Sequence, residues 1–399
     1  MAPGATLTVA KLLNYGTIRL PAGNIVQSQT LPEAFQGLET IYAIRALSDV
    51  FTVQGDGSIV ETAASQVAGQ TNATLAMTSM VYLLGELGAG DGIVLAPGSI
   101  TDVSGVSVLN PRATEAGTLA TVRTGKLYDA GSITLATPLT KSSGFYRTSY
   151  LSTQQISIGS FRPGLSLTIS AGSEVDLNGV ADTYMIAQST GKVGAGGVLS
   201  RRSALTSLDL ASAAGSIIAP NGFTISSEAI LRATGGSASA DGGSLTLADP
   251  ILTQSLAATA NQIAADQIMA SGFTTLTALG SLNSQGAVAL TLGRALVVQS
   301  RPWDSGTITA LPNSGNANAV VIKAGGDISV TAPYIGLASS MDVLTSSTAG
   351  TAAPYTVTLH ATSAFDVTGA VLFDRSVATT RLVSDGDLRL TGVADYQIG

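Results

Sequence analysis

Cysteine is absent from these 399 residues, which excludes disulfides, thiol catalysis and Cys-ligated zinc. Histidine occurs once, as His360, so a histidine pair cannot hold a metal or relay a proton. Charged residues make up 11% of the chain, against about 25% in an ordinary globular domain. Aromatic residues reach only 5%, and Trp303 is the single tryptophan. Lys, Glu and Arg are too scarce to build solvated helix surfaces. Long apolar runs are missing too. Mean hydropathy is +0.36, yet no stretch reaches the roughly 18 residues of a spanning helix, and Glu39, Arg45 and Asp49 interrupt the most apolar early segment. The reading is therefore of no membrane span. Net charge is −7 and the only adjacent basic pair is Arg201–Arg202. That balance argues against a nucleic-acid partner, since the phosphate backbone demands clustered cations. Met1 leads into Ala2, Pro3 and Gly4 without the basic and apolar regions of a signal peptide. This leaves a cytosolic protein or an internal piece of a longer exported chain, and the repeats favour the second.

What is present is glycine, 45 residues of it, among abundant Ser, Thr, Ala, Leu and Val. Such a composition suits many short strands separated by tight turns. One degenerate phrase recurs: Gly, a small or acidic residue, then alternating apolar and polar positions. It appears as Gly16-Thr-Ile-Arg-Leu-Pro, Gly92-Ile-Val-Leu-Ala-Pro, Gly131-Ser-Ile-Thr-Leu-Ala, Gly215-Ser-Ile-Ile-Ala-Pro and Gly243-Ser-Leu-Thr-Leu-Ala. It returns as Gly306-Thr-Ile-Thr-Ala-Leu, Gly326-Asp-Ile-Ser-Val-Thr and Gly386-Asp-Leu-Arg-Leu-Thr. Its apolar residues stand two apart and share one face of a strand. The leading glycine is expected to supply a turn conformation that other residues resist.

Gly286, Gly306 and Gly326 are spaced 20 residues apart, in the period range of solenoids. A one-strand phrase excludes helical-hairpin repeats, and the Leu and Asn ladder of leucine-rich repeats is missing. The expected fold is therefore all-β, a right-handed parallel β-helix (β-solenoid) forming an elongated rod with loop insertions. It is expected to run as one continuous segment over 1–399, with less regular coils or insertions around 31–90. About 20 coils at roughly 4.8 Å would give a rod near 90 Å long. Sparse charge is expected to keep like charges from stacking on adjacent strands. Leu31–Val53 and Leu75–Leu87 read as strands with an elaborated loop. Ala257–Phe273 has a helical look, but the strands that follow favour another coil there.

Several of these phrases resemble a known family. Asp91-Gly-Ile-Val-Leu-Ala-Pro-Gly-Ser-Ile-Thr-Asp-Val-Ser-Gly105 and Arg162-Pro-Gly-Leu-Ser-Leu-Thr-Ile-Ser-Ala-Gly-Ser-Glu-Val-Asp-Leu-Asn-Gly179 resemble the coil of filamentous-haemagglutinin-like large exoproteins. Ala265-Asp-Gln-Ile-Met-Ala-Ser-Gly-Phe273 and Thr380-Arg-Leu-Val-Ser-Asp-Gly-Asp-Leu-Arg-Leu390 are similar to phrases near the carboxyl end of a subgroup of them. The likeness covers most of the chain from Gly16 onward. It implies an adhesin exported from a Gram-negative bacterium by two-partner secretion, through an outer-membrane β-barrel transporter as partner. The amino-terminal secretion domain of that family is not apparent here.

Candidate chemistry is thin. His360 alternates with Val357 and Leu359 in Thr356-Val-Thr-Leu-His, which places it on the strand face of Thr356 and Thr358. Carboxylates weigh more, because β-helical lyases and glycosidases gather them with Lys and Arg on one sheet face. Here Asp56, Asp91, Asp241, Asp385 and Asp387 all lie beside glycines, where Asp commonly satisfies local backbone donors. Asp385 and Asp387 are the best calcium candidates, but no calcium-binding nonapeptide repeat recurs. Ser189-Thr-Gly-Lys192 fits a Ser-x-x-Lys pattern without its Lys-Thr-Gly partner. Gly194-Ala-Gly-Gly197 and Gly88-Ala-Gly90 lack the Lys-Ser/Thr of a phosphate cradle. Trp303, beside Arg301, could stack on a sugar or protein ligand. No catalytic, cofactor-binding or metal residue is assigned.

The sequence therefore points first to a non-enzymatic, secreted cell-surface fibre that attaches through host or bacterial receptors or glycans, with self-association a further option. A carbohydrate-active enzyme on the same scaffold is the alternative, since function lives in sites rather than folds. A passive stalk presenting a distal toxin or adhesive tip is the third. An enzyme would bring three or more charged residues into a groove on one sheet.

Overall fold

The structure, a computed structural model, describes residues 2–9, 11–27, 49–53, 59–63, 92–110, 124–135, 145–149, 152–156, 166–193, 199–257, 259–300, 320–339 and 353–392. Among them the protein is almost entirely β, with one short helix and long parallel sheets. The longest sheet runs through ten strands in chain order: Thr6–Val9, Asn24–Gln27, Ser132–Leu135, Ser216–Ala219, Gly243–Ala248, Phe273–Leu279, Ala295–Gln299, Ile328–Ala338, Tyr355–Thr368 and Val377–Ser384. A second sheet holds Leu12–Asn14, Ile93–Leu95, Leu167–Ile169 and Phe223–Ile225, and a third holds Thr17–Arg19, Ile100–Asp102, Glu174–Asp176 and Ile230–Arg232.

Read along the chain, these strands visit the three sheets in a fixed cycle, long, second, third and back to long, four times over. Each visit adds a strand parallel to the last one laid in that sheet. After Gly243 the cycle changes. The chain now divides between the long sheet and a fourth sheet made of Ile251–Thr253, Gln262–Ala264, Ser281–Ser284, Val320–Lys323 and Val371–Phe373, without a strict alternation.

Alternation explains why these segments are strands. Ser132–Leu135 and Ser216–Ala219 point every second residue inward. Cross-strand register then stacks those residues into columns. One column runs Leu7, Ile25, Ile133, Ile217, Leu245, Leu276, Leu296, Ile335, Phe365 and Leu388. From Ile25 to Phe365 every member is at most 1% exposed. No single strand pair could bury such a face; the stack buries it through neighbour contacts.

Among the described residues four antiparallel hairpins interrupt the cycle. Asp49–Val53 pairs Ile59–Ala63, and Phe145–Ser149 pairs Ser152–Ile156, both between the long and second sheets. Val106–Leu109 pairs Gly125–Tyr128, and Ala181–Val193 pairs Leu199–Ala211, both between the third sheet and the next long-sheet strand. Insertions thus leave at two corners of the cycle. Among the described residues the long-sheet path holds ten strands, where the sequence led to an expectation of about 20 coils over the whole chain. Of the two apolar stretches near the start, Asp49–Val53 is a strand, as expected of that end. The remainder of Leu31–Val53, and Leu75–Leu87, lie outside the described residues.

The expectation of a coil alone over Ala257–Phe273 is corrected as well. After the strand Gln262–Ala264, a seven-residue helix spans Ala265–Ser271 and ends at Gly272, whose φ of 85° is the left-handed closing conformation. Ala265 and Ile268 are fully buried against the column, so the helix takes the place of a strand without opening the core.

Of the phrase-leading glycines, Gly286 has the expected turn conformation with φ 81°, but four others do not. Gly92, Gly131, Gly215 and Gly243 are not among the residues with positive φ. Instead Gly131 lies under the Gly23 carbonyl and Gly215 under the Gly131 carbonyl, where an added Cβ would stand under 3.0 Å from the oxygen. Positive φ belongs also to the corner glycines, Gly98 (73°) and Gly172 (71°), which close turns between the second and third sheets.

Candidate functional site

Layer-to-layer contact is sealed by short polar side chains. The Asn24 Oδ1 accepts from both the amide (3.0 Å) and hydroxyl (2.9 Å) of Ser132, 108 residues on. Asn178 receives Thr234 in the same way, and Asp249 receives Ser281. Asp327 accepts the Thr356 amide at 2.8 Å. These residues therefore hold backbone donors of the next layer, whereas Asp102, Asp176 and Asp374 cap donors two residues ahead in their own turns.

Two outward faces gather charge. On the third sheet, register aligns Arg19, Asp102, Asp176 and Arg232 across four strands. Glu174 lies one residue pair away and forms an ion pair with Arg232. This corrects the expectation that like charges avoid stacking: Asp102 faces Asp176 on the adjacent strand, and the arginines of the flanking strands offset that repulsion. With two arginines and three carboxylates, these five residues sum to a single negative charge.

The second charged face is at the far end of the long sheet. Asp366 is clamped by Arg389 through two bonds, Nε to Oδ1 at 2.6 Å and Nη2 to Oδ2 at 2.9 Å. The Tyr334 hydroxyl donates to the same carboxylate at 3.1 Å. Its ring lies over Gly336, where a Cβ would stand 2.9 Å from the hydroxyl oxygen. Burial, and then the hydrogen bond to Asp366 and that carboxylate's charge, push the Tyr334 phenol above its ordinary value. The hydrogen bonding that Arg389 donates to Asp366, and that carboxylate's charge, raise the Arg389 guanidinium too. A phenol held protonated beside an ion-paired carboxylate is a poor proton acceptor.

Because the folded-state phenol is raised, its contribution to stability is complete below about pH 10, the ordinary phenol value, and is lost as pH climbs through the folded value. Asp366→Asn keeps an acceptor but removes the charge. Its alkaline phenolate absorbance is expected to rise at lower pH than in the parent protein; superimposable titrations would refute the assignment.

His360 sits on the strand face expected for it, between buried Val357 and Leu359 and buried Ala361, with Nε2 2.9 Å from Asp385 Oδ1. Asp387 lies further along, opposite Ala364. Among the described residues no three His, Asp or Glu side chains converge to hold a metal ion. Asp241, another glycine-flanked carboxylate, pairs with Arg294.

The most prominent feature outside the cycle is the hairpin Ala181–Val193/Leu199–Ala211, paired over thirteen rungs. Its base is locked to the shorter hairpin of the preceding layer. The Ser107 hydroxyl donates to Asp182 and meets the Tyr184 hydroxyl at 2.9 Å. Tyr184 is only 4% exposed, and its ring occupies the space that a Cβ at Gly125 would need. Thr183 ties the two strands by donating to Asp209 at 2.6 Å. Ser212 fixes the exit, accepting the Val180 amide at 2.8 Å.

No family model, curated protein or solved structure matches this chain.

Its geometry must therefore speak alone. Ser189 and Lys192 fall within the long hairpin. Asp56, Asp91, Gly88–Gly90, Gly194–Gly197, Arg301 and Trp303 lie outside the described residues. Sequence reasoning singled out the glycine-flanked aspartates but missed Tyr334, Asp366 and Arg389. Asp366 and Arg389 alternate with apolar residues in Phe365-Asp366-Val367 and Leu388-Arg389-Leu390, a usable signal that the outward face was charged. Nothing local announces that the two strands are neighbours. Among the described residues no helix is long and apolar enough to cross a membrane.

Proposed function

We propose that this chain is a length of right-handed parallel β-helix from a secreted, cell-surface fibre, without enzymatic activity, that mediates attachment. The observation that carries the reading is the column of ten stacked residues from Leu7 to Leu388, laid down by parallel strands that return again and again to one long sheet. A stack of this kind is quasi-one-dimensional: it gains stability layer by layer and lengthens without a larger globular core. Right-handed winding is the hand that parallel crossover connections take in nearly all sheets. Hairpins inserted at two corners would add contact surfaces beyond the strands of the stack, and repetition of such contacts would raise avidity. The resemblance of Asp91–Gly105 and Arg162–Gly179 to haemagglutinin-like exoproteins adds export through a two-partner transporter, and receptors or glycans on cells, as the expected partners.

Solution scattering tests the shape: a rod-like distance distribution is expected, and a compact one would remove the basis of the proposal. Beads coated with the chain are expected to adhere to cell monolayers above bare beads; equal retention would reject the adhesive role.

The carbohydrate-active alternative draws on the charged row Arg19, Asp102, Glu174, Asp176 and Arg232, which gathers the residue types such enzymes use. Asp102 and Asp176 are engaged in turn caps and Glu174 in an ion pair, which favours the fibre. Incubation with acidic polysaccharides separates the two readings; release of unsaturated products would overturn our choice.

A further inference from the structure

The outward face of the long sheet changes character around Tyr334. This residue alternates with the buried Ile335, so its ring stands on the side away from the core. Its cross-strand neighbours are Ala295 on one side and Ala364 on the other, and two residues along its own strand lies Gly336. All three are small. One half-buried aromatic ring therefore rises from a floor of alanine and glycine. Its phenol end leans over the buried Gly336, and its hydroxyl is anchored on Asp366 at 3.1 Å. A ring tethered at its tip and flanked only by alanines forms a fixed ledge.

Beside the ledge stands the clamp of Arg389 on Asp366. A guanidinium has five N–H donors and a carboxylate about four acceptor sites. Two of those donors and three of those acceptor sites are engaged with each other and with Tyr334, which leaves three donors and about one acceptor. The Arg389 side chain is 62% exposed, so its remaining donors are open to a ligand. The clamped pair is neutral in sum, with Asp387 adding one negative charge at the rim, opposite Ala364. Five layers lead up to the ledge, from Ser132 and Thr134 to Ala295 and Val297, and their paired outward positions hold no charged residue.

We infer that this ledge binds a neutral glycan, with one pyranose packed on the Tyr334 ring and its hydroxyls on Arg389 and Asp366, an inference that deepens the attachment reading and rests on it. An aromatic ring with a polar tip offers apolar area to the C–H groups of a sugar. Donors beside an acceptor match adjacent sugar hydroxyls, each of which both donates and accepts. An anion fits poorly, because Asp366 already neutralises Arg389 and the chain carries a net −7. A cation finds Asp366 engaged. An apolar peptide would bury the free guanidinium donors without partners, which is costly.

The test is affinity electrophoresis of the whole chain in gels cast with soluble neutral polysaccharides: a glucan, a galactomannan and a xylan. At least one is expected to retard the chain. Tyr334→Ala should weaken that binding about tenfold, the worth of one aromatic contact, with an unchanged circular dichroism spectrum. Gly336→Ala removes no contacting group but fills the seat of the phenol, and it should weaken binding comparably. Tyr334→Phe keeps the ring and should bind within about threefold of the parent. Retardation by none of the three, undiminished retardation of Tyr334→Ala, or retardation by an acidic polysaccharide alone would overturn the inference. Coated beads keep the two ideas apart. Beads that adhere to cells, from a chain that ignores all three glycans, sink only the ledge. A chain that binds a glycan but leaves its beads unattached sinks the attachment reading.

Discussion

Gly131→Ala and Gly215→Ala are each expected to destabilise the protein by about 3 kcal/mol, the upper end of ordinary overpacking costs. At both positions the new Cβ would collide with a backbone carbonyl of the preceding layer, Gly23 for one and Gly131 for the other. A side chain can rotate away from a clash; a carbonyl inside a parallel ladder cannot move without breaking ladder hydrogen bonds. The layers would have to separate at that corner, and neighbour contacts are what hold a stack together. Gly16→Ala is the control, for no atom lies within 4 Å of its Cβ position, and its stability should change by less than about 0.5 kcal/mol. Urea unfolding of the three variants decides the matter. Were Gly131→Ala as stable as Gly16→Ala, the close-approach account of the glycine phrase would fail.

Phe223→Ala should cost about 4 kcal/mol, in the range for emptying an aromatic site in a core. Phe223 is 1% exposed and stacks beside Leu167, itself in register with Ile93, which is in register with Leu12. The cavity would lie between the layer of Leu167 and the Gln262–Ala264 segment, whose Asn261 also holds the Phe223 amide at 3.1 Å. Since each layer touches mainly its neighbours, the loss should be local before it is global. Amide exchange should accelerate first in Leu167–Ile169 and Phe223–Ile225, with Tyr355–Thr368 little affected. Uniform acceleration along the whole chain would contradict the layered picture.

Much of the scaffold was legible in the residues. Ile133 and Leu135, Ile217 and Ala219, and Leu245 and Leu247 stand two apart behind a glycine, and all are buried on one face as that spacing requires. The reason assigned to the glycine was mistaken at Gly131 and Gly215, though not at Gly286. A leading glycine can mean a left-handed turn or a close backbone approach, and one sequence cannot separate them. Only stacking Gly23, Gly131 and Gly215 over one another selects the second. The helix at Ala265–Ser271 was visible in its own periodicity; the strands after it led the expectation elsewhere. Strand length carried no such signal. The glycine period of 20 residues, carried over the whole chain, made no allowance for the thirteen-rung arm and the three shorter hairpins.

The candidate sites were less legible still. Asp385 stood out because it flanks a glycine, but its partner His360 is 25 residues away. Arg389 and Tyr334 converge on Asp366 from either side, over 23 and 32 residues. These separations are set by how many residues each layer spends at its corners.

By itself the sequence determined an all-β chain with aliphatic residues on one strand face, no thiol chemistry and no histidine pair, since composition and a two-residue period act locally. Tertiary structure alone decided which strands are neighbours, and hence the Arg19–Asp102–Asp176–Arg232 row, the Tyr334–Asp366–Arg389 cluster and the anchoring of the arm through Ser107. Parallel pairing joins residues that are distant along the chain, and the distance between them depends on insertions whose lengths no local pattern encodes.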